Sequence, residues 1–422
     1  MEHMHKEQLH LVFPGLHAEN FNKDSGGIQL AEVNFAQSYA EMQLPITTYV
    51  GSKTTRSRKH SSGVQIEHVS LGLNEPQGGI TDSETFCLST VTKLVTATYG
   101  QPDNIVHFTS VGAAMNFFTD PINYLRRKQG GPQTVYTLHN YHYAIANKPY
   151  DVFESYPTEW QFLHEQESKV ISSADAVWVT NPTIAAELSR RFSRNIQYAP
   201  NTIGSIENHH IKSVKTDFMI FTTMCRLAKE KNIKRTIEAF LLHAKQHPDA
   251  RLLVAGSGEE DQALCEYLDS IHCAFTRRGQ ESIKNTIQLL NQFKIIFLGQ
   301  VKAAEKRQVW QVTDQFILPS LREVSPLVGL EAMMYGKPII GSDIPGWADY
   351  KNEGAPVATP DPASTESIAA AMDIMSHLTT KEFEKTANTA RSTYDKYHAP
   401  NVVVPKRLEL YKLVKNNSQA EL

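Results

Sequence analysis

Cysteine is scarce: Cys87, Cys225, Cys265 and Cys273 are the four in 422 residues, and no two have the CxxC spacing of a zinc site or the density of a disulfide framework. Long apolar runs are also missing. Nothing approaches the roughly 18 consecutive apolar residues of a membrane span, and the opening MEHMHKEQLH is too polar for the core of a signal peptide. These absences lead to the expectation of a reducing cytoplasm. Charge of one sign is lacking as well, because 42 Lys and Arg stand against 45 Asp and Glu, a formal net charge of −3. No global field therefore draws the chain to nucleic acid.

What is present is ordinary for a globular chain: 41% hydrophobic and 21% charged residues, over a length that exceeds what one core usually supports. Two domains are expected. In the first half, strand-like runs at 8–13, 46–50, 105–108, 135–138 and 176–180 alternate with helical stretches at 29–42, 83–99 and 160–173. Repeated βα units mean a doubly wound parallel sheet. The polar stretch SIENHHIKSVKT at 205–216 reads as a linker, giving an N-terminal domain over 1–204 and a second over 217–395. Residues 396–422 should hold a helix over 401–414 and a disordered polar tail from 415.

The segment 319–340, PSLREVSPLVGLEAMMYGKPII, places two carboxylates, Glu323 and Glu331, on either side of a helix start. Ser325 is a favoured N-cap and Pro326 is tolerated at the first helical position, so the helix is expected to begin at Pro326. The apolar run 314–319 before it reads as a buried strand, which carries Glu323 to a strand's C-terminal end, where ligands of open α/β sheets sit. The amides of Leu327 and Val328, with the positive end of the helix, would face an anion such as a diphosphate. Glu331 lies deeper, among Leu330, Ala332 and Met333, and an ionised carboxylate there needs donors. Ribose hydroxyls or a nearby Lys or Arg could supply them. Arg226 and Lys231 follow the strand at 218–224 and are the cations available to a developing phosphate charge, although a lone loop cation is more often a solvated one.

Four ordered motifs carry a resemblance. TTMCRLAKEKN, RLLVAGSGEE, IIFLGQV and the pair Glu323 and Glu331, separated by seven residues, resemble in order and spacing the C-terminal domain of glycosyltransferase family 4, the retaining GT-B enzymes. The match lies at Arg226, Leu227, Glu230, Lys231, Gly256, Gly258, Gly299 and Val301. Cys225 and Asn232 stand where the family usually has glycine, and 324–326 replaces a commoner Gly-Phe-Gly. The resemblance implies two Rossmann-like domains facing a central cleft, with a nucleotide sugar, most commonly a UDP-sugar, as co-substrate. It assigns Arg226, Lys231 and residues 326–328 to the diphosphate, Glu331 to ribose, and Glu323 to the sugar hydroxyls.

In the first half, Gly26 and Gly27 occupy the place of a glycine pair that contacts the donor in the resembled family; alone, such a pair is usually a turn. His139, closing the strand before Asn140, resembles the family's N-domain histidine, which supports transfer, and Tyr141, His142 and Tyr143 could line an acceptor pocket or simply pack. The family often returns its last helix to the N-terminal domain. Two basic clusters, Lys53, Arg56, Arg58, Lys59 with His60, and Arg126, Arg127, Lys128, would suit an anionic membrane surface but read better as solvated loops. His3, His5 and His10 read as a tail and a strand face rather than a metal site.

The expectation is thus a retaining transfer of a sugar from an NDP-sugar to an acceptor hydroxyl. No Asp-x-Asp triplet occurs, which points to metal-independent chemistry with cations and a helix start in the metal's place. Two other classes remain: a non-catalytic protein of the same fold, and a Rossmann oxidoreductase suggested by Gly256 and Gly258, weakened because Asp261 stands where the third glycine belongs.

Overall fold

The computed structural model describes residues 9–17, 33, 35–37, 39–40, 45–52, 56–60, 63–70, 84–99, 104–139, 157–203, 214, 216–279 and 282–420. Gly26, Gly27, residues 140–143, His3, His5 and Lys53 lie outside them. Two sheets organise the rest. The first comprises β1 (Leu9–His17), β2 (Ile46–Ser52), β3 (Arg56–Lys59), β4 (Gln65–Ser70), β5 (Ile105–Phe108), β6 (Gln133–Leu138), β7 (Ala176–Val179) and β8 (Ile196–Tyr198), in the spatial order β3-β4-β2-β1-β5-β6-β7-β8. Every neighbouring pair is parallel except β3 with β4. Inner parallel strands are covered on both faces, which is why β5 is buried along its whole length and β7 along all but its first residue.

Two features of this unit differ from the sequence reading. Of the first basic cluster, expected as a solvated loop, Arg56–Lys59 forms the antiparallel edge strand β3, where Ser57 donates to Glu67 at 2.6 Å and Lys59 is exposed. Charge on an edge strand blocks pairing with another chain, so such a segment looks like a loop by composition and a strand by geometry. Similarly, Arg126 is not a free surface cation: it donates to the carbonyls of Val95 at 3.2 Å and Thr98 at 2.6 Å, while Arg127 bridges Ser173 and Asp175.

The second sheet contains β9 (Met219–Met224), β10 (Ala250–Ala255), β11 (Phe275–Arg277), β12 (Ile295–Gly299), β13 (Gln315–Ile317), β14 (Ile339–Ile340) and β15 (Val357–Ala358), ordered β11-β12-β10-β9-β13-β14-β15 and parallel throughout. The chain builds outward from β9 through β10 to the edge strand β11, inserts β12 between β11 and β10, then crosses to place β13 on the other side of β9. Between β9 and β13 the strand order reverses, and at such a switch point the loops leaving the two carboxyl ends diverge and open a crevice.

The chain divides into two compact units, Met1–Ile206 with Ala399–Leu422, and Glu207–His398. Helix Pro400–Ala420 completes the first. Its Tyr411 hydroxyl hydrogen-bonds His107 Nδ1 at 2.6 Å and its ring lies 4.6 Å from that of Trp178, while the buried Arg407 donates to the Pro200 carbonyl at 3.1 Å. The helix continues six residues past Val414, to Ala420, where a disordered tail was expected. Among the described residues no helix is long and apolar enough to cross a membrane.

Candidate functional site

The loops leaving β9 and β13 are stitched together. The Leu321 amide donates to the Glu230 carbonyl at 2.8 Å, and the Lys231 ammonium meets Glu323 Oε1 at 2.6 Å. Ser320 donates to the same oxygen at 3.0 Å, and Ser342 holds the Ser320 carbonyl at 2.6 Å. Burial would lower the pKa of Lys231, but the facing Glu323 carboxylate outweighs it and leaves the ammonium above its ordinary value. Lys231 is therefore a fixed positive charge at the switch point. Gly346 seals the opposite side of this loop, because a Cβ there would stand 2.8 Å from the Glu323 carbonyl oxygen.

Asn232 explains one departure from the glycine pattern. Its φ of 58° and ψ of 35° are left-handed, a region glycine enters freely and asparagine best among the others. Its side-chain amide then donates to the carbonyls of Pro319 at 3.0 Å and Pro362 at 2.8 Å, ties that glycine lacks. Cys225 has no such backbone demand. Burial pushes its thiol up to about 12, which disfavours the thiolate.

The helix expected from Pro326 spans Leu327–Met334, with Pro326 itself as the cap in extended geometry and no side-chain cap bond. Ser325 does not cap it. Its hydroxyl is shared with the Tyr350 phenol at 3.0 Å, and that phenol donates to the Pro326 carbonyl at 3.3 Å. Leu327 and Val328 stand in the first turn, where no carbonyl of the helix itself is available to their amides.

Glu331 is buried, and its donors come from the helix Ala303–Val312: Lys306 Nζ at 3.0 Å from Oε1 and Trp310 Nε1 at 3.3 Å from Oε2. Sequence reasoning demanded a donor without naming these two. Spacing gives no signal, because any neighbouring element could have supplied one. Arg226 is 60% exposed and pairs with Glu230 and Glu259 rather than with Glu323.

Gly256 and Gly258 have a packing purpose. A Cβ on either would stand 1.8 Å from the Cys225 carbonyl oxygen or 2.3 Å from that of Leu227, and the Leu227 amide donates to the Ser257 carbonyl at 3.0 Å. These glycines bring the β10 loop against the loop of Arg226, which accounts for them without a dinucleotide. In the first unit, His139 is buried just beyond the carboxyl end of β6.

Residues 205–393 match the family described as glycosyl transferases group 1. That stretch of the chain belongs to it. An uncharacterized glycosyltransferase of Methanocaldococcus jannaschii is 25% identical over 201 residues, 47% of this chain and 46% of the relative, so the chain spans about half the length of that curated protein. Sucrose-phosphate synthase from Thermosynechococcus elongatus superposes with a TM-score of 0.72 at 16% identity, over 97% of this chain and 100% of that one. Anabaena HepE in complex with UDP and glucose gives a TM-score of 0.65 at 15% identity, again over 97% and 100%. At these identities the likeness is one of fold, and the fold is GT-B. Within the group 1 transferase stretch fall Arg226, Lys231, Glu323, residues 326–328 and Glu331, every candidate of the second unit.

Proposed function

We propose that the protein is a retaining glycosyltransferase that moves a sugar from an NDP-sugar, by preference a UDP-sugar, to an acceptor hydroxyl. The observation that carries this reading is the Lys231–Glu323 pair, held at the switch point of the second sheet one short loop before the first turn of Leu327–Met334. In the reaction the bond between the anomeric carbon and the diphosphate oxygen breaks, a bond to the acceptor oxygen forms on the same face, and the acceptor proton leaves with the nucleoside diphosphate. Charge therefore grows on the phosphates, and a preorganised ammonium with backbone amides beside it stabilises that growth in the transition state. Lys231 and the amides of Leu327 and Val328 are the groups for this, without a metal.

Glu323 would take the sugar hydroxyls as hydrogen-bond acceptor, with Lys231 and Ser320 fixing its orientation. Glu331 would accept from the ribose hydroxyls, with Lys306 and Trp310 fixing its orientation. Arg226 could reach a phosphate only by leaving Glu230 and Glu259. His139 retains the role of supporting the reacting sugar, and Gly26 and Gly27 that of meeting the donor. The UDP in the Anabaena structure supports a uridine donor.

The test is a thermal-shift panel of UDP-, GDP- and ADP-sugars, followed by product analysis. A donor at about 100 times its Kd should add roughly 2.7 kcal/mol of stability. Lys231→Ala should lower kcat by about 10²–10³, the size of losing one preorganised donor, and chelator should leave activity intact. No shift with any nucleotide sugar would refute the reading. A shift without transfer or hydrolysis would reduce the protein to a binding module, and a response to nicotinamide dinucleotides would make it an oxidoreductase.

A further inference from the structure

Helix Ile233–His243 begins beside Lys231 and ends, about 15 Å further along its axis, in a second polar cluster. His243 and His247 are four apart, and the His247 amide donates to the His243 carbonyl at 3.1 Å, so the helical turn continues and both rings share one face. The rings stack with centroids 4.1 Å apart and planes 15° from parallel. Asp373, from the helix Thr365–Ser376, reaches between the two elements: its Oδ1 contacts His243 Nδ1 and lies 3.4 Å from His247 Nε2. One donor atom from each of the three residues lies within 4.8 Å of the other two.

A His–Asp hydrogen bond would account for His243 alone. The second imidazole nitrogen 3.4 Å from the same carboxylate oxygen, with no hydrogen bond to it, is what that bond leaves unexplained. Two imidazole nitrogens and a carboxylate oxygen are the donor set that a zinc ion takes at about 2.0–2.2 Å, which puts neighbouring ligand atoms about 3.4 Å apart in a tetrahedron. The His247–Asp373 separation matches this, whereas His243 Nδ1 and Asp373 are in direct hydrogen-bond contact and the two rings are stacked, so these side chains would part and turn to admit the ion. The surroundings hold the ligands in orientation, as they do around metal-binding histidines. Ser376 Oγ is 3.3 Å from His243 Nε2, Phe221 stands edge-on to the His243 ring, and His377 Nδ1 hydrogen-bonds the Asp373 carbonyl at 2.7 Å. His243 is fully buried at its side chain while His247 is 21% and Asp373 37% exposed, which leaves a path for the ion and room for a water as fourth ligand.

We propose that His243, His247 and Asp373 form a zinc-binding site that clamps Ile233–His243 to Thr365–Ser376, at the far end of the helix from Lys231. The ion is structural, and the proposal stands independently of the transfer reaction. The full chain, dialysed against chelator and then against plain buffer, is titrated with Zn²⁺ by calorimetry and with Co²⁺ by visible absorbance, alongside His247→Ala and Asp373→Asn. The part-exposed His247 makes its alanine variant a mild change, and circular dichroism checks that both variants fold. The expected result is one equivalent bound by the parent chain with a tetrahedral Co²⁺ band, weakened at least tenfold in each variant. Parent and folded variants that titrate alike, or a parent that binds no Zn²⁺, would overturn it.

Discussion

Asn232 shows how one side chain can satisfy two demands, a left-handed backbone and two hydrogen bonds to Pro319 and Pro362. Glycine meets the first demand and alanine neither. Asn232→Ala should therefore be less stable than Asn232→Gly by about 1 kcal/mol, the cost of a Cβ in that region, and chemical unfolding of the two variants measures it; equal stabilities would show that the backbone is unstrained. His10 makes a second case. It is buried between Tyr49, at 2.9 Å, and Asn104, at 3.2 Å, and burial lowers its pKa from 6.5 to about 4. The folded state thus disfavours its proton, so its contribution is complete above pH 6.5 and is lost as the pH falls from there towards 4. At pH 5 the loss is about 2 kcal/mol. His10→Gln should flatten the decline in stability of the first unit between pH 7 and 5, and an unchanged slope would assign that decline to other groups.

Strands β5, β6 and β7 were legible because unbroken apolar runs between turns have one use in an α/β chain. β3 and β4 were not, since Arg56–Lys59 carries charge that composition assigns to solvent, and the polar residues of Gln65–Ser70 dilute the apolar signal. The same division applies to the site. That Lys231 and Glu323 follow strands could be read locally, but their 2.6 Å contact spans 92 residues and depends on β9 lying beside β13. Likewise Glu331 announces that it needs a partner, whereas Lys306 and Trp310 become partners only when two helices pack. Removing one member of such a part-buried pair costs more than removing both. Lys306→Met should destabilise the second unit by roughly 2 kcal/mol, and adding Glu331→Gln should restore most of that. A double variant as unstable as the sum of the two single changes would show that the ion pair is not the relevant contact.

Each unit is a sheet with its own core, but only the second is continuous in sequence. Val404, Tyr411 and Val414 belong to the same buried cluster as Leu9, Val50 and Trp178, so the last helix is an integral part of the first unit's interior. A chain ending at residue 398 should keep the unfolding transition of the second unit and lose that of the first, as calorimetry would register; two intact transitions would mean that the helix is dispensable.

The discontinuity of the first unit also sets an order of events during synthesis. Translation delivers the second unit in full while the first still lacks Tyr411 for His107 and Arg407 for the Pro200 carbonyl. An eight-stranded sheet must wait, partly uncovered, until the final helix leaves the ribosome. During that interval nascent protein is most open to chaperone capture, and a stall before Tyr411 is added would release molecules whose second unit is finished and whose first unit is not.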